Sequence, residues 1–169
     1  MTNMTATATI APISIVDMEA MERLYKASVA ANPEGFIQDL DYHGSIIAFA
    51  GRVTDVGGCF AVAHCKEGIV GMVALNPDAA MPEQAMMCKL HVSKGCQGCG
   101  LGQKLCDFAL AEGKRLGFKR VVLDVVTSQK PAIGLYKKNG FVEDRVEMWR
   151  GSFKGQDLLY EVMYMYRDL

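Results

Sequence analysis

Nowhere does this sequence run apolar for the ~18 residues that a membrane-spanning helix needs. The first twelve residues, rich in Thr and Ala, have no positive start followed by an apolar stretch, so they do not read as a secretory signal. Both absences point to a cytoplasmic protein with no membrane as partner. There is little net charge of either sign: the formal value is −1, which gives no general attraction to nucleic acid. There is no internal repeat and no low-complexity linker, so the 169 residues are expected to form one domain, 1–169, with 1–12 flexible or an edge strand. Half the residues are hydrophobic and 22% are charged, which excludes a disordered chain. A chain this long buries roughly 70% of its unfolded surface, enough for a core without disulfides or a structural metal.

Six cysteines are present (Cys59, Cys65, Cys88, Cys96, Cys99 and Cys106). Without a secretory signal they are expected to be reduced, most of them serving as small buried hydrophobes. Cys88, His91, Cys96 and Cys99 together read C-x2-H-x4-C-x2-C. That spacing invites a zinc site, but residues 85–92 read as a strand, where positions 88 and 91 would face opposite sides. No metal is therefore expected. A redox role for Cys96 and Cys99 stays open.

Charge is unevenly spread. Residues 1–58 carry three Lys/Arg against seven Asp/Glu, whereas Lys94–Lys138 carries nine basic residues against three acidic ones. A net +6 segment in a near-neutral chain is what an anionic ligand would need.

Periodicity and breakers divide the chain. Ile13–Val16 reads as a short β-prone run, Asp17 as an N-cap, and residues 17–30 as a helix. A second short helix is expected at 34–41, while 45–58 gives no clear reading. Strands follow at 59–65, 69–75 and 84–92, then a Gly-rich loop at 93–100 and a helix to about Gly117. Arg120–Val126 reads as a strand buried on both faces. Pro131 opens a helix that Asn139-Gly140 stops. Residues 141–149 and 158–166 form an antiparallel hairpin around Gly151–Gly155. This order predicts an α/β domain: a mixed sheet with helices packed on it.

The central motif is Gln97-Gly98-Cys99-Gly100-Leu101-Gly102, between a strand and a helix. Glycines let the backbone turn tightly and approach a ligand. The helix that follows offers unpaired N–H groups and a positive dipole end of about half a charge, which suits a phosphate. A P-loop starting at Gly95 would need Lys where Leu101 stands, and a dinucleotide fingerprint starting at Gly98 would need Gly where Gln103 stands.

Leu90-His91-Val92, four residues, and then Gln97-x-x-Gly100-x-Gly102 resembles the acetyl-CoA motif of the GNAT superfamily of N-acetyltransferases. The downstream run Ala132-Ile133-Gly134-Leu135-Tyr136-Lys137-Lys138-Asn139-Gly140-Phe141 is similar to that family's A-I-x-L-Y-x-x-x-G-F segment. The resemblance implies a mostly antiparallel sheet of about seven strands, helices on both faces, and a V-shaped split between two central strands. It implies acetyl-CoA as co-substrate. The main chain of Leu90, His91 and Val92 would take the pantetheine arm, and Gln97, Gly98, Cys99, Gly100, Leu101, Gly102 and Gln103 would hold the pyrophosphate. Gln129 stands where the family often has Asn, and Gly98 and Cys99 stand where it often has Arg or Lys. Weaker coenzyme binding than in a typical member is the consequence.

The same resemblance makes Tyr136 the general acid for the departing thiolate and Asp124 a candidate base, with the bulged Leu90 or His91 N–H facing the oxyanion. The strand region Met86-Met87-Cys88 is apolar where many members carry Glu, and Glu83 lies just before it. The acceptor is a small-molecule amine or a protein N-terminus. Glu34, Asp39, Asp41 and Asp55 would form an acidic wall for a cationic amine, or simply a solvated face. Arg145, Arg150 and Trp149 on the late hairpin would bind a carboxylate or stack an aromatic group. That hairpin also leaves a homodimer open. The alternatives are a non-catalytic acyl-CoA-binding sensor or regulatory module, and a zinc- or redox-responsive module on Cys96 and Cys99.

Overall fold

The structure, a computed structural model, describes residues 8–32, 44–153 and 155–169. The helix expected at 34–41 lies outside the described residues, as do 1–7. A seven-stranded sheet runs in the order β1-β2-β3-β4-β5-β7-β6. Its strands are β1 (Thr9–Pro12), β2 (Cys59–Cys65), β3 (Gly68–Pro77), β4 (Gln84–Val92), β5 (Arg120–Val126), β6 (Val142–Phe153) and β7 (Gln156–Asp168). All neighbours are antiparallel except β4 and β5. Helices α1 (Met18–Ala31) and α2 (Ile46–Asp55) cover one face. Helices α3 (Leu101–Arg115) and α4 (Lys130–Lys138) cover the other. No described helix is long and apolar enough to cross a membrane.

Each helix buries one stripe. In α3 the buried residues Leu101, Leu105, Ala109, Leu110 and Gly113 recur at helical spacing and pack on Ala61, Val73 and Leu75 of the sheet. Leu105 is fully buried, so truncating it to Ala costs ~2–5 kcal/mol. On the opposite face Met21, Leu24 and Tyr25 of α1 meet Phe49, Ala50 and Val53 of α2 over Phe60, Val62 and Met72.

Several expectations shift. The strand near the N-terminus is Thr9–Pro12, not Ile13–Val16. Asp17 accepts from the Ser14 backbone N–H at 2.9 Å and from its hydroxyl at 2.8 Å, which folds residues 15–17 into a 3₁₀ turn rather than a strand. Asp17 thus reaches back to Ser14 and makes no side-chain cap to α1. The stretch 45–58, which gave no clear reading, holds α2: the Ser45 hydroxyl accepts from the Ala48 N–H, and Ile46, Phe49, Ala50 and Val53 form its buried face. The hairpin strands extend to Phe153 and resume at Gln156, so Gly151 is ladder and not loop.

Two irregularities open the sheet. β4 and β5 pair only at Gln84–Arg120, Ala85–Val121 and Met86–Val122. Beyond Met86 the strands part, while β4 stays on β3 and β5 stays on β7. The second is a bulge in β4: Met72 pairs with His91 and Ala74 with Cys88, so Val73 opposes both Lys89 and Leu90. Lys89 has φ 55°, the one non-glycine residue with positive φ among the described residues. The extra residue reverses the alternation, and Cys88 and His91 share a face instead of opposing each other. The geometric objection to zinc therefore fails. Still, among the described residues no three His, Cys, Asp or Glu side chains are grouped to hold a metal.

Candidate functional site

The parted strands bound a cavity of about 330 Å³. Its β4 wall carries Cys88, Lys89, Leu90 and His91, and its β5 wall Asp124 to Val126. Tyr136 of α4 reaches in from one side, Tyr25 and Phe49 of α1 and α2 from the other, and Trp149 from β6. Asp124 and Tyr136, expected to act together, do line one cavity.

Helix α4 places Tyr136 because Pro131 starts it and Gly140, at φ 81°, ends it. The ring packs edge-on against Phe141 at 5.9 Å and is 9% exposed. No described group hydrogen-bonds its hydroxyl, which opens to the cavity. Burial drives its pKa well above the usual phenol value, so the hydroxyl keeps its proton.

Asp124 follows Leu123, which is buried toward α3, so strand alternation turns it to the α1/α2 side. It pairs across the ladder with Tyr164, whose hydroxyl accepts from Trp149 Nε1 at 2.9 Å. His91 is buried. Its Nδ1 shares a 2.8 Å hydrogen bond with the Ser28 hydroxyl, and its ring meets Tyr25 edge-on at 5.3 Å. Burial first, and then the Lys89 charge, push its pKa down to about 3. A neutral imidazole tied to α1 is a packing element. The Cys88 thiol is pushed up to about 12, chiefly by burial, and is protonated at neutral pH.

The loop before α3 has Gly98 at φ 75° and Gly100 at φ 82°, and a Cβ at either would meet open space. Left-handed backbone here turns successive N–H groups outward. Among the described residues, the N–H groups of 97–103 make no well-formed hydrogen bond to a carbonyl or side chain. This run of donors at a 15-residue helix N-terminus fits a diphosphate by main chain alone. The Leu101 side chain is core. The Gln103 amide is exchanged with that of Asn139, at 2.6 and 3.0 Å, which ties α3 to the end of α4. The Gln129 amide is exchanged with Asn32, at 2.7 and 3.3 Å, across the cavity rim to the end of α1. Leu90 and Val92 turn their side chains to the α3-side core, and the Val92 carbonyl accepts from Gln97 Nε2 at 3.2 Å.

Part of the +6 segment is paired off away from this loop. Arg115 pairs with Glu112, Lys119 with Glu83 and Arg120 with Asp168. Glu83 is thereby held outside the cavity. Arg145 is occupied by Asp144, Glu147 and the Tyr164 ring, and Arg150 is exposed outside the lining. Of the expected acidic wall, Glu34, Asp39 and Asp41 lie outside the described residues, and Asp55 is exposed and not part of the cavity. Lys89 was missed: a residue that alternation alone would turn toward α3 lines the cavity instead.

A split between central strands, a glycine loop feeding a helix and a tyrosine at the split define an acyltransferase-type fold. The chain belongs to the acetyltransferase (GNAT) family, whose family model matches residues 18–141. It is 32% identical over 88 residues to "Probable N-acetyltransferase camello" of Xenopus laevis, a match covering 52% of this chain and 40% of that protein. The chain therefore matches less than half the length of that relative. Its fold is shared with the ribosomal-protein-alanine N-acetyltransferase of Brucella melitensis, at TM-score 0.80 and 17% identity over 95% of this chain and 99% of the other. It is also shared with a phosphinothricin acetyltransferase of Sinorhizobium meliloti solved with acetyl-CoA, at TM-score 0.78 and 18% identity over 96% and 89%.

Proposed function

We propose that this protein moves an acetyl group from acetyl-CoA directly to a primary amine. The observation that carries the reading is the unpaired β4 edge beyond Met86, with the Tyr136 hydroxyl beside it and the 97–103 donors at its end. The pantetheine arm adds to that edge as a strand would, through the backbone of Leu90 to Val92. The N–H groups of 97–103 take the pyrophosphate, and the bulge N–H of Leu90 or His91 faces the carbonyl oxygen as it gains charge.

The amine first loses a proton to solvent, its nitrogen lone pair then attacks the thioester carbon, and the C–S bond breaks. The ammonium proton leaves toward Asp124, directly or through one water. A lysine-like amine has a pKa near ~10.4 and an aspartate near ~3.9, so Asp124 takes that proton only after C–N bond formation has acidified it. Tyr136 donates to the departing sulfur. A free thiol ionises near pH ~8.5, below this phenol, so the hydroxyl acts first as a hydrogen-bond donor to the thiolate and solvent completes its protonation. A Cys88 acyl-enzyme is disfavoured because that thiol holds its proton.

A non-catalytic acyl-CoA sensor is the second reading, favoured by the absence of a carboxylate on β4 within the cavity. Thiol release from acetyl-CoA against an amine panel separates the two. Amine-dependent release supports transfer, and coenzyme binding without release supports the sensor.

A further inference from the structure

One cation points into the acceptor side of the cavity. Lys89 Nζ donates to the Tyr25 hydroxyl at 3.3 Å and lies 5.1 Å from the Tyr25 ring centroid and 5.4 Å from that of Phe49. The bulge puts it there. Cys88 faces α1 and α2, so regular alternation would send residue 89 to the α3 side, and φ 55° at Lys89 turns it back. No described carboxylate pairs with this ammonium. Two aromatic rings and a hydroxyl hold it in place.

Three other ionisable side chains described at the cavity, those of His91, Cys88 and Tyr136, carry no charge at neutral pH. His91 is neutral above about pH 3, Cys88 holds its proton to about pH 12, and Tyr136 remains a phenol. Among the described residues, the formal charges lining the cavity are Lys89 and Asp124, one of each sign.

We propose that these two charges bracket a zwitterionic acceptor: an amine that also carries a carboxylate, such as an amino acid, with Lys89 holding the carboxylate and Asp124 receiving the ammonium. The proposal rests on the acetyl-transfer reading and narrows its acceptor. It disfavours diamines and polyamines, whose second cation would meet Lys89. It also disfavours peptide N-termini, which present a neutral amide where the carboxylate would sit.

The test compares amino acids with their matched C-terminal amides in the thiol-release assay, using the full chain and Lys89→Met. The amides also stand for a peptide terminus. Wild type is expected to favour acid over amide by ~10–100-fold in kcat/KM, mostly through KM, the scale of one charge-assisted contact. Lys89→Met is expected to erase that preference while acetyl-CoA affinity by calorimetry is unchanged, which shows that the variant is folded. Equal use of acids and amides by wild type, or a preference that survives Lys89→Met, overturns the Lys89 assignment and leaves acetyl transfer standing. Binding of acetyl-CoA with no amine of either kind consumed overturns both.

Discussion

In the proposed reading, the coenzyme loop draws its groups from seven consecutive residues, 97–103, and uses their main chain. The acceptor side draws its groups from α1, α2, the β4 bulge, β5 and β6, and uses side chains. The first tolerates almost any side chain that leaves the backbone path alone. The second depends on each residue, because its chemistry exists only once five elements have met.

The largest effect is expected on the reacting side. Tyr136→Phe removes the donor to sulfur and should lower kcat by ~10²–10³-fold, the range for one positioned hydrogen-bond donor to developing negative charge. Acetyl-CoA affinity, measured by calorimetry, should stay within about twofold of wild type because the anchoring donors are elsewhere. An undiminished kcat would remove Tyr136 from the chemistry.

On the loop side, the sensitive feature is conformation. Gly100→Ala places a Cβ at φ 82°, a strain of ~1–2 kcal/mol. Part of it should appear as a ~3–30-fold weaker acetyl-CoA Kd with kcat at saturating coenzyme retained. Cys99, exposed beside it, provides the contrast: Cys99→Ser should change Kd by less than about twofold, because the proposed binding uses only its N–H. A large Cys99 effect would mean that the loop binds through side chains after all.

The buried His91 makes the acceptor side acid-sensitive in stability. The unfolded chain protonates this imidazole below about pH 6.5, whereas the folded ring stays neutral to about pH 3. Across that window the unfolded state binds more protons, so stability falls as pH drops, by at most ~1.4 kcal/mol per pH unit from this group. Thermal melts from pH 7 to 4.5 should show wild type losing Tm more steeply than His91→Gln. Parallel curves would show that the ring is not buried neutral.

The same contrast explains what could be read from sequence. The loop and α4 were legible because Gly98, Gly100, Pro131, Tyr136 and Gly140 act locally: each sets its own backbone or helix terminus. The split was legible only through the family resemblance, since nothing in the composition of β4 and β5 says that pairing stops at Met86. Lys89 was not legible at all. One extra residue opposite Val73 decides which way it points, and alternation counted along β4 gives the opposite answer. Arg145 failed in the other direction: available as a carboxylate ligand on paper, it is neutralised by Asp144 and Glu147 in the fold. Helix α2 was not legible although Ile46, Phe49, Ala50 and Val53 carry helical spacing, because the apolar run at Ile46, Ile47 and Phe49 ends on the Gly57-Gly58 break.

Amide hydrogen exchange with and without acetyl-CoA tests most directly whether the main chain holds the coenzyme. Strong ligand-dependent slowing is predicted at residues 97–103 and at Leu90–Val92, with little change on α1 and α2. Unaltered exchange across both segments at saturating acetyl-CoA would contradict the account.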